Sequence, residues 1–311
     1  MNTTAGRRGP VHQRQRAAAI AAPSAAMFVG LGGCWLLAAP AGPAATSLPN
    51  TVALAAAVLL VGLGSLPVLG LVPSPVAVGV AGAAWFVGVA VAAWLRTADQ
   101  SGRAPTAVGL GQFVDTLRAG APEMVTLVAS CLVVGLVCVE LTGRAAPPAA
   151  SYALLAGVGV LATSITGHPG QHAIGPILVG AHALAAAWWC GTLAAMVLVV
   201  RGRRGWASAL PEFSSRALWA VAGIATTGLI SAALQIGLGD LLDTGYGRVL
   251  LAKAVGLVIL IGLGVYARRR WVPGVDRHQL SEATSLRLAT VELAVMGVVL
   301  GLAVGLAGTA P

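Results

Sequence analysis

Residues 167–204 read GHPGQHAIGPILVGAHALAAAWWCGTLAAMVLVVRGRR, and this stretch decides the fold. From Ile174 to Val200 it carries no charged residue and one histidine, His182. A helix needs roughly 20 mostly apolar residues to cross a bilayer, and this run is long enough. It stops at Arg201, Arg203 and Arg204, as a span stops where the chain meets water. The pattern repeats along the chain. Apolar runs over 17–39, 51–71, 75–95, 122–141, 149–166, 174–200, 214–236, 249–267 and 286–307 predict about nine membrane helices. A short polar piece around Gln112–Leu117, with Asp115 and Arg118, reads as an interfacial segment. No internal repeat stands out.

Composition agrees. Of 311 residues, 57% are hydrophobic and only 9% charged, against roughly 25% charged in a soluble domain. The chain cannot clothe a water-facing surface, and no polar stretch is long enough for a separate soluble domain. The expectation is an all-α, polytopic membrane bundle. A basic segment 1–16 would precede an N-terminal bundle of about four helices (17–145) and a second unit of about five (146–311). The net charge of +9 is not a nucleic-acid signature, because the arginines sit in short loops between spans.

Those loops set the expected orientation. With the N-terminus inside, fourteen Arg residues fall on the inner side, against five Arg or Lys on the outer. The RGRRG loop at 201–205 and the Arg268–Arg270 run weigh most, since cytoplasmic loops collect Lys and Arg. The C-terminus is then outside, as is the loop at 167–173. The first span follows a basic leader and could be read as a cleaved signal peptide. Its apolar stretch is too long for one, so an anchor is expected. The Arg-rich, Ala/Gly/Val-rich composition suggests a GC-rich bacterial genome. GVGVLA at 157–162 and GLVILIGLG at 256–264 are rich in small residues, which let membrane helices approach closely.

Ionisable groups within spans are functional candidates, because hydrocarbon gives them no partner. His168, His172 and His182 share one fifteen-residue window, and imidazole is a common ligand of transition metals. Met196 lies fourteen residues after His182. That places it within about 40° of the same azimuth and some 21 Å along the helix, with Cys190 on a neighbouring face. In the fourth span Met124, Cys131 and Cys138 repeat every seven residues, a stripe of three sulfurs. Thioether, thiolate and imidazole together suit Cu(I) rather than Cu(II). Glu292 lies about two turns into the last span, and Lys253, the single lysine, opens the eighth. Ordinary roles stand beside these. Met and Cys are common core residues, His182 could bond a neighbouring helix, and Glu292 could pair with Arg287. Cys34 reads as a small membrane hydrophobe, and CxxC spacing is absent.

Residues 211–256 contain Phe213-Ser214, Thr227-Gly228, Thr244-Gly245-Tyr246-Gly247-Arg248, and Leu250-Leu251 followed by Lys253. Upstream, HALAAAWWCGTL from His182 runs His-x-x-Ala-x-x-x-Trp-x-Gly-Thr-Leu, and Arg287 stands five residues before Glu292. In this order the residues resemble the membrane domain of the copper resistance protein D family, over about 150–311. Thr192 replaces the second glycine of that family's pattern. The resemblance implies an inner-membrane protein that moves copper inward from the outer face. It implies roles for Tyr246, Arg248, Lys253 and Arg287 within the family's motifs. The chain has no appended Met/His-rich segment, so loops or a periplasmic or extracellular carrier would deliver the metal.

A second class uses the same residues. His168 and His182, on adjacent helices, could be axial ligands of haem b in a redox protein. A non-transporting assembly or sensor subunit is a third option. The chain lacks GxxxxGK[ST], GxSxG and HExxH, so neither an ATPase nor a hydrolase is expected, and no enzymatic role is assigned.

Overall fold

In a computed structural model the described residues are 10–39, 42–144, 146–165, 174–235, 244–277 and 280–307. They form helices α1 (Pro10–Leu37), α2 (Ser47–Ser65), α3 (Pro75–Ser101), α4 (Leu110–Ala119), α5 (Ala121–Leu141) and α6 (Ala149–Ser164). There follow α7 (Gly175–Val199), α8 (Gly202–Gln235), α9 (Gly245–Tyr266), the five-residue α10 (Val272–Asp276) and α11 (Glu282–Ala307). Among the described residues eight segments are long and apolar enough to cross a membrane. The shorter α6, 16 residues, stands where the fifth span was expected. The fold is an all-α polytopic bundle, with α4 at the place of the expected interfacial piece.

Hydroxyls within the spans are satisfied by their own helices. Thr51, Thr97 and Thr290 each donate to the carbonyl four residues back, at 2.8, 3.0 and 2.7 Å. In hydrocarbon a polar group must be satisfied inside its own segment or by a neighbouring one.

Two boundaries differ from expectation. The seventh span was expected from 214, but α8 begins at Gly202, which takes φ +69° to turn the chain directly out of α7. Its early turns bury Trp206 and Leu210, and Trp206 packs against Trp271 with ring centroids 5.9 Å apart. Tertiary burial thus draws Arg203 and Arg204 out of a loop and into a helical turn. Likewise Arg268–Arg270 lie in a wide helical turn, Ala267–Trp271, joining α9 to α10.

The packing is organised around α2 and α7. Helix α2 touches α3, α6 and α7, while α7 also packs on α8, α6 and α11. Helix α5 packs on α3 and α6, and α9 on α11. The most extensive pairing joins the first helix to the last, α1 to α11. Glycine permits the closest crossings. A Cβ on Gly62 of α2 would overlap the Gly191 carbonyl of α7, and one on Gly191 would fall 3.0 Å from Gly62 N. Along α11, Gly297, Gly301 and Gly305 recur every fourth residue. They face Pro23 and Ala26, Met27 and Leu31, and Cys34 of α1 in turn. This is a small-xxx-small seam, which brings backbones together where apolar burial gives no net drive.

The seam makes a measurable prediction. Gly301→Ala puts a methyl onto the Met27 carbonyl and is expected to cost about 1–3 kcal/mol, as overpacking does. Gly262→Ala points into open space and is expected to be neutral within about 0.5 kcal/mol. Denaturant unfolding in mixed micelles compares the two; equal stabilities would remove the seam's structural importance.

Candidate functional site

The site begins at the end of the bundle where α1 and α11 finish and α7 and α9 start. His182 sits half-buried on α7, two turns from its beginning. Its Nδ1 lies 3.1 Å from Thr227 Oγ1 on α8. The Thr227 hydroxyl donates its single proton to the Gly223 carbonyl at 2.6 Å. With that proton given to Gly223, the oxygen is an acceptor for Nδ1–H of His182, the tautomer in which Nε2 carries the lone pair; the imidazole also hydrogen-bonds the Ile224 carbonyl. A hydrogen bond to the far ring nitrogen, fixing the tautomer, is how proteins orient metal-binding imidazoles. Gly228 provides the space, because a methyl there would stand 3.3 Å from His182 Cε1. Two stretches quoted separately from the sequence, the His182 helix and the Thr227-Gly228 pair, thus meet in one contact.

Lys253 on α9 lies within electrostatic reach of both His182 and Cys34. Cys34 is fully buried on α1, in a cluster with Ala38, Val249, Leu302 and Leu306 and with Tyr246 packed against it. The turn Thr244–Arg248 holds this corner together. Thr244 caps α9 by accepting from Gly247 N at 3.0 Å. Gly245 lets the end of α1 come close, since a Cβ there would be 2.9 Å from Ala38 Cα. Arg248 reaches across to α1, donating from Nε to the Leu37 carbonyl at 2.9 Å and from Nη2 to the Ala39 carbonyl at 3.3 Å. A cation at a helix C-terminus satisfies its orphan carbonyls and meets the negative end of its dipole.

Deeper along α7, Cys190 and Met196 are buried, Met196 completely. Cys190 lies within electrostatic reach of Glu292 on α11. Glu292 is 6% exposed. It lines a cavity of about 120 Å³ whose walls include Trp189, Phe213, Leu260 and Trp271. Arg287 is exposed and, five residues earlier, points about 140° away around the helix. The Arg287–Glu292 pair weighed from sequence does not form. Glu292 has no hydrogen-bond or ion-pair partner among the described residues.

The sulfur stripe of the fourth span lies elsewhere. Met124, Cys131 and Cys138 are all exposed on α5, so the stripe faces outward from the bundle. His168 and His172 lie outside the described residues. Among the described residues no three His, Cys, Asp or Glu side chains gather as a ready metal cage. Sequence reasoning passed over Thr227 as the partner of His182, and Cys34 as a sulfur within electrostatic reach of Lys253. A hydroxyl in an otherwise apolar span was the available signal for Thr227. Thr192, standing where the family's pattern has glycine, is buried with its hydroxyl unbonded.

The remaining motif residues join elements. Phe213 stacks on Trp188, ring centroids 6.1 Å apart, and ties α8 to α7. The Ser214 carbonyl accepts from Arg268 at 2.9 Å and ties α8 to the end of α9.

The fold and these contacts define a polytopic helical membrane protein with one imidazole presented at its bundle end and one carboxyl buried deeper. Residues 207–306, from the first turns of α8 nearly to the end of α11, match the family model described as Copper resistance protein D. The resemblance read from the sequence is borne out over that segment. No curated protein and no solved structure matches the chain.

Because Arg248 clasps the end of α1, Arg248→Ala is expected to cost about 1–3 kcal/mol, the loss of charge-assisted hydrogen bonds. Hydrogen exchange at the Cys34–Leu37 amides should accelerate roughly in proportion. Unchanged protection there would show that Arg248 does not hold α1.

Proposed function

We propose that this chain moves copper across the cytoplasmic membrane of a bacterium, inward from the outer face, in copper homeostasis and resistance. The copper is cargo, carried as Cu(I). The N-terminus is taken as inside, the C-terminus outside, and residues 146–311 as the metal-handling unit. The segment match to Copper resistance protein D supports the metal. The observation that carries the reading is the His182–Thr227 contact, which leaves Nε2 available to a ligand in an apolar surround.

In this reading the loop histidines His168 and His172 collect copper from a carrier protein or from solution. His182 Nε2 takes it next, held in orientation by Thr227. Cys190 lies about 12 Å further along α7 and Met196 about 21 Å; both are soft ligands suited to Cu(I). Glu292 stands beside Cys190 as a last ligand or as a proton site. Lys253 sets the local charge at the entrance, and the outward-facing sulfurs of α5 are a separate, peripheral stripe. Movement follows a gradient or a partner, since no ATPase motif is present.

Cells carrying His182→Ala are expected to lose copper accumulation, measured by mass spectrometry on washed cells. Thr227→Val, which keeps shape but removes the acceptor, should lower uptake roughly 10–100-fold, the usual cost of losing an outer-shell partner. Thr227→Ser should restore most of it. Wild-type uptake by His182→Ala would sink the proposal. A Soret band and stoichiometric iron in purified protein would replace copper transport with the haem b reading.

A further inference from the structure

The cavity beside Glu292 is more than a stretch of an ion path. It lies between α8 and α9, and its walls are mostly apolar; besides Glu292 the polar members are Ser214 and Arg268, whose guanidinium donates to the Ser214 carbonyl at 2.9 Å. On one side it is lipped by Leu218, Ile261 and Val265, each 40% exposed or more. Leu218 and Ile261 lie within their spans and Val265 one residue before the end of α9; exposed apolar residues there face lipid, so the cavity opens sideways into the bilayer. Its inner wall carries the aromatic rings of Trp189, Phe213 and Trp271. At its base is the unpartnered, nine-tenths-buried carboxyl of Glu292.

Size, walls and base select an occupant. The volume, about 120 Å³, is close to the roughly 150 Å³ at which an apolar protein cavity takes up benzene. One six-membered ring fits. Aromatic walls favour a flat, polarisable ring. The carboxyl requires an oxygen or hydroxyl on that ring, because a buried polar group left unbonded is costly. The lateral opening requires an apolar tail that stays in lipid. A phospholipid acyl chain would fill the space but leave Glu292 unanswered.

We infer that this cleft binds the ring head of an isoprenoid quinone or quinol, with Glu292 hydrogen-bonding a ring oxygen and the tail leaving between α8 and α9. Either redox form has a complement. The carboxyl donates to a quinone carbonyl, and the carboxylate accepts from a quinol hydroxyl. Binding alone is assigned, and it stands independently of copper transport.

The test uses full-length protein in quinone-free nanodiscs, without copper, titrated with a decyl-substituted benzoquinone. Quinones quench nearby indoles, so Trp189 and Trp271 report occupancy. Wild-type quenching is expected to saturate. Val221→Phe, which fills the cavity from its α8 wall, should abolish the saturable part. Glu292→Leu should weaken binding roughly tenfold or more, whereas Glu292→Gln, still able to hydrogen-bond, should stay within about threefold. Variants are compared only where gel filtration shows the wild-type monodisperse profile. Quenching that rises linearly and equally in wild type and Val221→Phe overturns the inference. So does native mass spectrometry that finds a phospholipid retained by wild type, lost in Val221→Phe and not displaced by the quinone. A failed copper assay leaves this result untouched, and a failed titration leaves copper uptake untouched.

Discussion

Lipid is as apolar as the side chains it surrounds, so helices in a bilayer gain nothing from hiding Leu or Val from it. What remains is close contact between backbones, and this chain places glycine where that contact is closest. Gly62 meets Gly191 where α2 crosses α7, and Gly297, Gly301 and Gly305 lay α11 along α1. The positions of the polar groups follow from these crossings. Cys190 is buried beside Gly191 at the α2–α7 contact. Cys34 is buried because Gly305 leaves room for its sulfur.

The motif residues divide into those that build and those that are left over. Thr244, Gly245 and Arg248 use their polarity on helix ends: a cap for α9, a close approach and a clasp for α1. Phe213 and Ser214 join α8 to α7 and to the end of α9. Once these are accounted for, the polar groups left without a structural contact among the described residues include His182 Nε2 at one level and the Glu292 carboxyl at another, beside the unbonded Thr192 hydroxyl. A membrane protein tolerates such groups only at a cost, so functional readings belong there first.

Much of the fold was legible because a bilayer imposes one length scale and one secondary structure. Each of the nine apolar runs corresponds to a helix, and even the short piece around Gln112–Leu117 is found as α4. Charge could not reveal where α8 begins, because Trp206 is buried against a partner 65 residues away, Trp271. The candidate site was legible residue by residue but not in its pairings. Periodicity puts Met124, Cys131 and Cys138 on one stripe but does not say which way the stripe faces. They face out, while Cys34, with Met27 seven residues before it on α1, faces in. Which helix Thr227 would touch is a tertiary fact, and so is the open seam between α8 and α9.

Glu292 shows why a buried carboxyl is better explained by what it faces than by its sequence neighbours. Arg287 is near in sequence, yet five residues of helix turn it to another face. Cys190 is distant in sequence and near in space, and a ring-sized apolar cavity opens in front of the carboxyl. Had the group served only to lock α11 in place, a cation or a backbone donor should stand against it, as Glu123 stands against Arg96 and Glu140 against Tyr152. Those two carboxylates lie near helix ends, where structural partners were supplied. Glu292 lies within its span with none among the described residues, so its partner is expected to be something the protein binds.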